Sequence, residues 1–448
     1  MDTSLACPRQ EKLLTLTSLP AEIQETILSQ LDSFRTLNSI AATCRAFRDL
    51  VLYHPQGIID RILKSIIPDE VFPEAITFFE ASKLPTTNVE VVQELLGRYF
   101  TSLKRNMGPR PKFSLSEATT LEKYHRLIQG FTHVFITSAL SKHPITGDEV
   151  KPPWFVTKGE QYRIQRALYR FELYWKLFKR MERKDRSQRY PQLAIPLQDH
   201  SKLYFDHFAP WENEQMICIQ DFLLRIVDEV FNDVAAHDVE WGEWGIEYNE
   251  GYKALSINSF RCNYISLGLH FIFRLRGKQK FEHRREMLNP HRNVQLASID
   301  RALKQHRSPY IDRIPLSRYS GDRLKHDIQK PTVWDGRGPA EVWRTTHLAM
   351  SSYNFVMADE HISLRERGYV MWDYSRLSNW GLLRVPWQPP PREPPEVELD
   401  MREKVFRSHQ RRSDIYLQGG RGWWSEEDES RVVYPRQRAS RKFTPFQR

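Results

Sequence analysis

Long apolar runs are missing from this 448-residue sequence, and we expect no N-terminal leader. No stretch reaches the ~18 consecutive apolar residues that a membrane-spanning helix needs. The opening segment lacks the apolar centre of a secretory signal, because Asp2, Arg9 and Glu11 interrupt it. We therefore expect a protein of the cytosol or nucleus that has no membrane partner.

Paired cysteines are missing as well. The four cysteines are Cys7, Cys44, Cys218 and Cys262, and none lies within four residues of another. This distribution excludes a CxxC pair and zinc-finger spacing. Few and scattered cysteines in a long chain are typical of a reducing compartment.

The short motifs that mark common active sites are also missing. The sequence has no HExxH or HxH pair for a metal, no P-loop or strand-following GxGxxG for a nucleotide, and no GxSxG nucleophile elbow. The nearest approach to a metal cluster is His200, Asp206 and His207, for which solvated or capping roles are favoured. We expect no metal, no cofactor and no catalytic residue; an unrecognised enzyme in the long middle region is the minor alternative.

Aromatic residues and charges of both signs are abundant. Disordered chains are poor in aromatics, so the 12 Trp, 24 Phe and 18 Tyr predict that most of the chain folds. The net charge of +10 permits attraction to nucleic acid or to acidic partners. No aromatic–basic motif of the recognised kinds accompanies it, so nucleic acid is not favoured as the main partner.

Helical periodicity dominates the chain, and the expected fold class is mainly α. Ser114 and Glu117 form a capping-box pattern. Apolar residues then recur at helical spacing in three segments, at residues 121–135, 164–178 and 216–230, which is typical of core-facing helices. The expected domains are a flexible N-terminus (1–15), a three-helix module (16–55), a larger helical domain (56–386) and a Pro-rich linker with a mostly disordered tail (387–448).

The expected tail begins with the run QPPPREPPEVE from Gln388, which is typical of an extended linker. Periodic apolar content is low beyond this run. Trp423 and Trp424 precede four acidic residues, 426–429, and form a candidate docking feature. A solvated tail without a partner is the favoured interpretation.

The three-helix module of residues 16–55, called the N-terminal module below, carries more apolar surface than its size can bury. Pro20 suits a first helical turn, and Glu22 places negative charge near the positive end of the helix dipole. Leu19, Leu28 and Phe47 exceed what so small a bundle can cover, and such an excess usually marks a protein-binding face. The pattern alone does not distinguish a docking module from the first three helices of a larger domain.

The order of short motifs in the N-terminal module resembles the F-box. These motifs are LPxEI from Leu19, ILxxL from Ile27 and CRAFRDL from Cys44, with one mild departure at Phe47, where many F-boxes have Trp. The resemblance implies binding to the small adaptor protein of SCF-type cullin–RING ubiquitin ligases, and through it to cullin. The implied adaptor-binding residues are Leu19, Pro20, Ile23, Ile27, Leu28, Leu31, Cys44, Arg45, Phe47 and Leu50. The sequence does not separate those that contact the adaptor from those that hold the module together.

Three later blocks are similar to segments of filamentous-fungal F-box proteins that have a long helical C-terminal region. The blocks are RIQRALYRFELYWKLF (163–178), PWENEQMICIQDFL (210–223) and RGYVMWDYSRL (367–377). The resemblance implies a non-catalytic substrate-recognition subunit of an SCF-type ligase, whose helical region binds an unknown protein target. Such a subunit acts by bringing target lysines near the charged ubiquitin-conjugating enzyme. The alternative is an adaptor-bound interaction protein that acts outside a ubiquitin ligase.

Two charged segments are candidate target-binding surfaces. The acidic segment, residues 226–250, contains no Lys or Arg, and its aromatics are Trp241, Trp244 and Tyr248 besides Phe231. It either binds a basic peptide or, as we favour, is a helix end and loop whose tryptophans pack inward. The basic segment, residues 274–285, either binds a phosphorylated or acidic degron or, as we prefer, neutralises the acidic segment within the fold. Its cations are Arg274, Arg276, Lys278, Lys280, Arg284 and Arg285.

Overall fold

The computed structural model describes most of the chain. The described residues are 15–53, 55–84, 88–104, 110–179, 181–182, 192–248, 259–288, 299–304, 336–348, 356, 359–384, 387–388 and 395–435. The expected flexible N-terminus lies outside this part except for Thr15, and so do residues 389–394 of the Pro-rich linker and residues 436–448.

Helices make up the fold from the first described segment to the last. The first eight are α1 (Ala21–Leu28), α2 (Phe34–Ala41), α3 (Arg45–Tyr53), α4 (Pro55–Ile66), α5 (Phe72–Lys83), α6 (Val89–Lys104), α7 (Leu115–Ala139) and α8 (Lys158–Phe178). The next seven are α9 (Leu197–Leu203), α10 (Pro210–His237), α11 (Val239–Glu243), α12 (Ser259–Ile265), α13 (Leu269–Arg276), α14 (Phe281–Met287) and α15 (Ile299–Lys304). The last four are α16 (Arg337–His347), α17 (Ile362–Glu366), α18 (Tyr374–Asn379) and α19 (Pro395–Leu417). Short 3-10 turns lie at Leu16–Ser18, Phe205–His207, Asp359–His361 and Tyr369–Met371.

The mainly helical fold class is confirmed. Within the described residues, strands form only two small antiparallel pairs, Met181–Glu182 with Gln192–Leu193 and Arg421–Gly422 with Val432–Val433. One large cluster of buried apolar residues runs from Leu28 in the N-terminal module to Leu382. The module and the larger helical region therefore share a core.

The predicted cap of α7 and the predicted apolar stripes of α8 and α10 are confirmed. The stripe predicted for α7 is buried only in part, because Tyr124, Leu127 and Val134 are partly covered. The Ser114 hydroxyl accepts a hydrogen bond from the Glu117 amide (3.3 Å), and the Glu117 carboxylate accepts one from the Ser114 amide (2.9 Å), which begins α7. The predicted stripe of α8 is fully buried, and that of α10 is buried except for the partly covered Ile226. These features depend on residues three and four apart, which is why the sequence predicts them.

The three Trp- and Tyr-rich blocks pack against one another. Arg163 of α8 donates to the Met371 carbonyl (2.7 Å) and pairs with Asp373. Gln215 of α10 donates to the Val370 carbonyl at 3.0 Å. The blocks therefore form one structural unit at the centre of the helical region, which joins α8, α10 and the turn at Tyr369–Met371.

Arg170 of α8 lies off the apolar stripe, yet its side chain is buried. Its guanidinium pairs with Glu74 of α5 at 3.0 Å and with Glu212 of α10 at 2.7 Å, and all three side chains are at most 3% exposed. Since α5, α7 and α10 all pack on α8, this helix has no solvent face here for a charge to occupy. A buried charge persists only when it is paired and hydrogen-bonded, as Arg170 is.

The prediction of a mostly disordered tail is wrong for residues 395–435. α19 packs on α11, and the fully buried Arg412 donates to the carbonyls of Ala235 (2.5 Å) and Asp238 (2.9 Å). Ile415 and Trp424 form a small second core with Val239. The segment has too few apolar residues for a clear periodic signal, but one paired cation and a few large side chains hold it on the body.

The two tryptophans of this segment bind the chain itself. The Trp424 amide donates to the His237 carbonyl (2.8 Å), and its indole donates to Glu429 (3.0 Å). The ring of Trp423 stacks on the His237 imidazole at 4.9 Å. Neither a solvated tail nor an open docking feature describes these residues.

Candidate functional site

The N-terminal module begins with a 3-10 turn and is stabilised by local caps. The Gln24 amide group donates to the Leu19 carbonyl at 2.8 Å, which holds the entering chain against the first turn of α1. The Ser33 hydroxyl accepts from the Thr36 amide at 3.1 Å and caps α2. Local polar contacts thus help to set the directions of α1 and α2 within the module.

The N-terminal module rests on the larger region through α4 and α7. Phe34 and Leu37 of α2 are fully buried, and the Phe34 amide donates to the Glu122 carboxylate of α7 at 2.9 Å. Arg61 of α4 donates to the Ser29 hydroxyl at 3.2 Å. Part of the module's apolar surface is therefore covered by the body, so it is both a compact unit and the first layer of the larger domain.

The ten residues implied as adaptor-binding divide into two groups by burial. Leu28 and Leu50 are buried, and Leu19, Leu31, Cys44 and Phe47 are partly covered. Pro20, Ile23, Ile27 and Arg45 are exposed. The buried members hold the three helices together, and the exposed members remain available to another protein. This division is one that the sequence alone does not make.

The exposed apolar members lie on one face of α1, called the α1 face below and defined by Pro20, Ile23 and Ile27. Their spacing of three and four residues places them on consecutive turns of one side. Ile23 is 48% exposed and Ile27 is 39% exposed. Isolated exposed apolar residues are ordinary, but consecutive ones on one helical face of a small module indicate a docking surface.

Three further exposed apolar residues belong to the N-terminal module but not to the implied set. Leu16 lies in the turn before α1, and Leu52 and Tyr53 end α3, with exposures of 55%, 66% and 77%. The sequence alone could have indicated Leu52. This residue follows Arg48 by four positions, so it lies on the charged side of α3 and away from Leu50. Apolar residues on a polar helical face are candidates for contact with another protein.

The preferred interpretation of the two charged segments is confirmed for the two arginines that end the basic segment. Arg284 pairs with Asp233 at 2.7 Å, and Arg285 pairs with Asp238 at 2.7 Å and with Glu240. Burial raises the pKa of Asp238, an effect that its bonds to Arg285 and the Trp241 amide oppose. Basic and acidic segments thus neutralise each other here within the fold.

The aromatic residues of the acidic segment pack inward, as we favoured. Trp241 is fully buried and packs against Phe231, with ring centroids 5.4 Å apart and the rings tilted by 47°, and Tyr248 is 5% exposed. Trp244 is partly covered by the core. Glu250, at the end of the segment, lies outside the described residues. The aromatics are therefore core residues and do not form a cage for a basic peptide.

The favoured solvated or capping role is wrong for His200, which packs inside the fold, whereas His207 is exposed. His200 is buried, with its ring nitrogens hydrogen-bonded to the Tyr174 hydroxyl and the Ile195 carbonyl, both at 3.0 Å. Burial lowers its pKa to about 4. His207 stacks on Phe100 at 3.9 Å, and Asp206 accepts from the Ser201 hydroxyl. Across the described residues, no group of three or more His, Cys, Asp or Glu is placed to hold a metal ion.

None of the helices in the described part of the chain combines the length and apolar character needed to cross a membrane.

One comparison with known proteins gives a match. A sequence model of the family described as F-box-like matches residues 16–55, the range of the N-terminal module. No curated protein and no solved structure matches the chain. The N-terminal region is therefore F-box-like, which supports an F-box protein, whereas the similarity of the three later blocks to fungal proteins stays a prediction.

Proposed function

We propose that this chain is a substrate-recognition subunit of an SCF-type cullin–RING ubiquitin ligase that acts in the cytosol or nucleus. An F-box-like region implies binding to the small adaptor of such ligases and, through it, to cullin. The observation that carries the proposal is the coincidence of this match with the exposed α1 face. The helical body then binds the protein target.

The α1 face supports the proposal on energetic grounds. Full burial of an isoleucine side chain is worth about 1.5–3 kcal/mol. Ile23 and Ile27 keep 48% and 39% of their surface exposed, so each retains roughly 1 kcal/mol for a partner to gain. A set of such anchors covered together is typical of the few residues that dominate a protein interface.

The mechanism needs no bond chemistry from this chain. α7 contacts the N-terminal module at Glu122 and runs on into the body, and its 25 residues span roughly 37 Å in all. A continuous helix holds the adaptor-binding module and the body in a defined relation. The ligase's other subunits then modify target lysines that this chain keeps at high local concentration.

The test compares two exposed aliphatic residues in complexes rebuilt from purified adaptor and cullin. Ile23→Asp places a carboxylate on the α1 face, where burial by the adaptor leaves it unpaired, so adaptor binding should weaken by about 100-fold or more. Leu399→Asp, at a 65% exposed position on α19, is the matched control and should bind as the wild type does. Thermal melting checks that both variants fold.

Unchanged adaptor binding by a folded Ile23→Asp variant contradicts the proposal. A complex that holds the adaptor and excludes cullin favours the interaction protein acting outside a ligase. Incorporation of cullin into the wild-type complex, and its loss with Ile23→Asp, supports a ligase subunit.

A further inference from the structure

A groove of about 740 Å³ opens on the helical body between α5, α7 and α13. The buried Leu121 and Tyr169 are among the residues that line it. On its wall the ring of Phe78 stacks on Tyr124, with centroids 4.3 Å apart, and both side chains are only partly covered. Phe273 of α13 lines the opening and is 61% exposed. The volume is that of a ligand-binding cleft.

Positive charge lies beside this apolar groove on α7 and α13. The charged residues that line it are Lys123, Arg126 and Arg276, beside His270, and among the described residues no carboxylate lines it. All four are exposed. An occupant that combines apolar side chains with carboxylates complements such a surface, because each carboxylate meets a cation as the apolar face is covered.

The groove and the N-terminal module are built on the same turn of α7. Glu122 accepts the amide of Phe34 in the module and also pairs with Arg126 at 2.8 Å. Arg126 and Lys123 line the groove. A segment bound in the groove therefore lies about one helical turn from the contact that supports the adaptor-binding module.

We propose that the groove between α5, α7 and α13 binds an amphipathic acidic segment of the target protein, with leucine or aromatic anchors on one face and Asp or Glu beside them. The inference rests on the proposed function, since it names the chemistry of the target segment that such a subunit would bind. Grooves between helix faces lined by aromatic and aliphatic side chains take amphipathic helices through anchors spaced three and four residues apart. The exposed aromatic Phe273 suits an interface anchor.

Gly130 offers a way to fill the groove without disturbing the core. It lines the groove within α7, and no atom of the described residues lies within 4 Å of the position that a Cβ would occupy. Gly97 in α6 is also an exposed helical glycine, and the described part of the chain places no atom within 4 Å of its Cβ position. Glutamine favours helix over glycine, so Gly130→Gln and Gly97→Gln should both fold at least as well as the wild type.

The test selects peptides from a displayed random library of about 14 residues, roughly four helical turns. The bait is the full chain, and Gly130→Gln serves as the counter-selection. Enriched peptides should carry Leu, Phe or Trp with Asp or Glu. Gly130→Gln should weaken their binding by about tenfold or more, and Gly97→Gln should leave it unchanged.

A charge reversal separates the proposed occupant from other ligands. Lys123→Glu with Arg276→Glu should weaken the acidic peptides by about tenfold and improve their Lys-substituted counterparts. Enrichment of basic or uncharged peptides, or binding that ignores Gly130→Gln, overturns the proposal. The proposal is also overturned if the library yields no groove-dependent peptide while a fatty acid binds in the groove. Adaptor binding is measured separately. If the wild-type chain does not bind the adaptor, the proposed function is refuted, and the groove result still stands.

Discussion

Ile27 and Leu28 are neighbours in α1 with opposite environments, and we expect their alanine variants to separate folding from adaptor binding. Leu28 is 2% exposed in the module core, whereas Ile27 is 39% exposed on the α1 face. The two side chains are of equal size. A difference between Ile27→Ala and Leu28→Ala therefore reports where each residue lies and not how much apolar surface is removed.

The magnitudes follow from these exposures. Leu28→Ala removes a buried side chain and leaves a cavity, so the free energy of unfolding should fall by about 2–5 kcal/mol. Ile27→Ala loses partial packing but gains helix propensity, so its stability should change by roughly 1 kcal/mol or less. Covering the remaining surface of Ile27 is worth about 1 kcal/mol, so its removal should weaken adaptor affinity about fivefold to tenfold.

Denaturant unfolding gives the stabilities, and calorimetric titration with purified adaptor gives the affinities. We expect Leu28→Ala to lower stability strongly and Ile27→Ala to lower affinity at nearly unchanged stability. Equal destabilisation by the two variants, or wild-type affinity in Ile27→Ala, would refute the assignment of the α1 face as the docking surface.

Two further variants test the buried charges. Arg170→Met leaves Glu74 and Glu212 buried without their cation, so the free energy of unfolding in a denaturant titration should fall by about 3–5 kcal/mol. The control is Arg98→Met, which removes an exposed ion pair and should change the free energy of unfolding by about 1 kcal/mol or less. Burial raises the pKa of Asp228 to about 6, outweighing Arg261 and Arg225. The folded state then binds a proton that the unfolded chain releases, so this residue's contribution to stability falls as the pH rises from about 4 to 6. Thermal melting of Asp228→Asn across that range should show a flatter pH profile, and an unchanged profile would contradict the shift.

The α8 core stripe could be predicted from the sequence, whereas the packing of residues 395–435 on the body could not. Ile164, Leu168 and Phe171 recur within one helix, so their common burial is readable locally. α19 is held by Arg412, whose acceptors are the carbonyls of Ala235 and Asp238 in another part of the chain. No spacing within α19 reveals those acceptors.

Sequence alone was enough to predict the helical class, the cap at Ser114, the order of the F-box-like motifs and the apolar character of the N-terminal module. These follow from contacts between residues a few positions apart, which any one segment contains in full. Packing of distant segments was needed to establish three further features: that Ile27 is exposed while Leu28 is buried, which carboxylates pair with Arg170, and that α5, α7 and α13 leave a groove between them. Each of these depends on where segments distant in sequence meet, because exposure and pairing are properties of packed surfaces and not of a single helix.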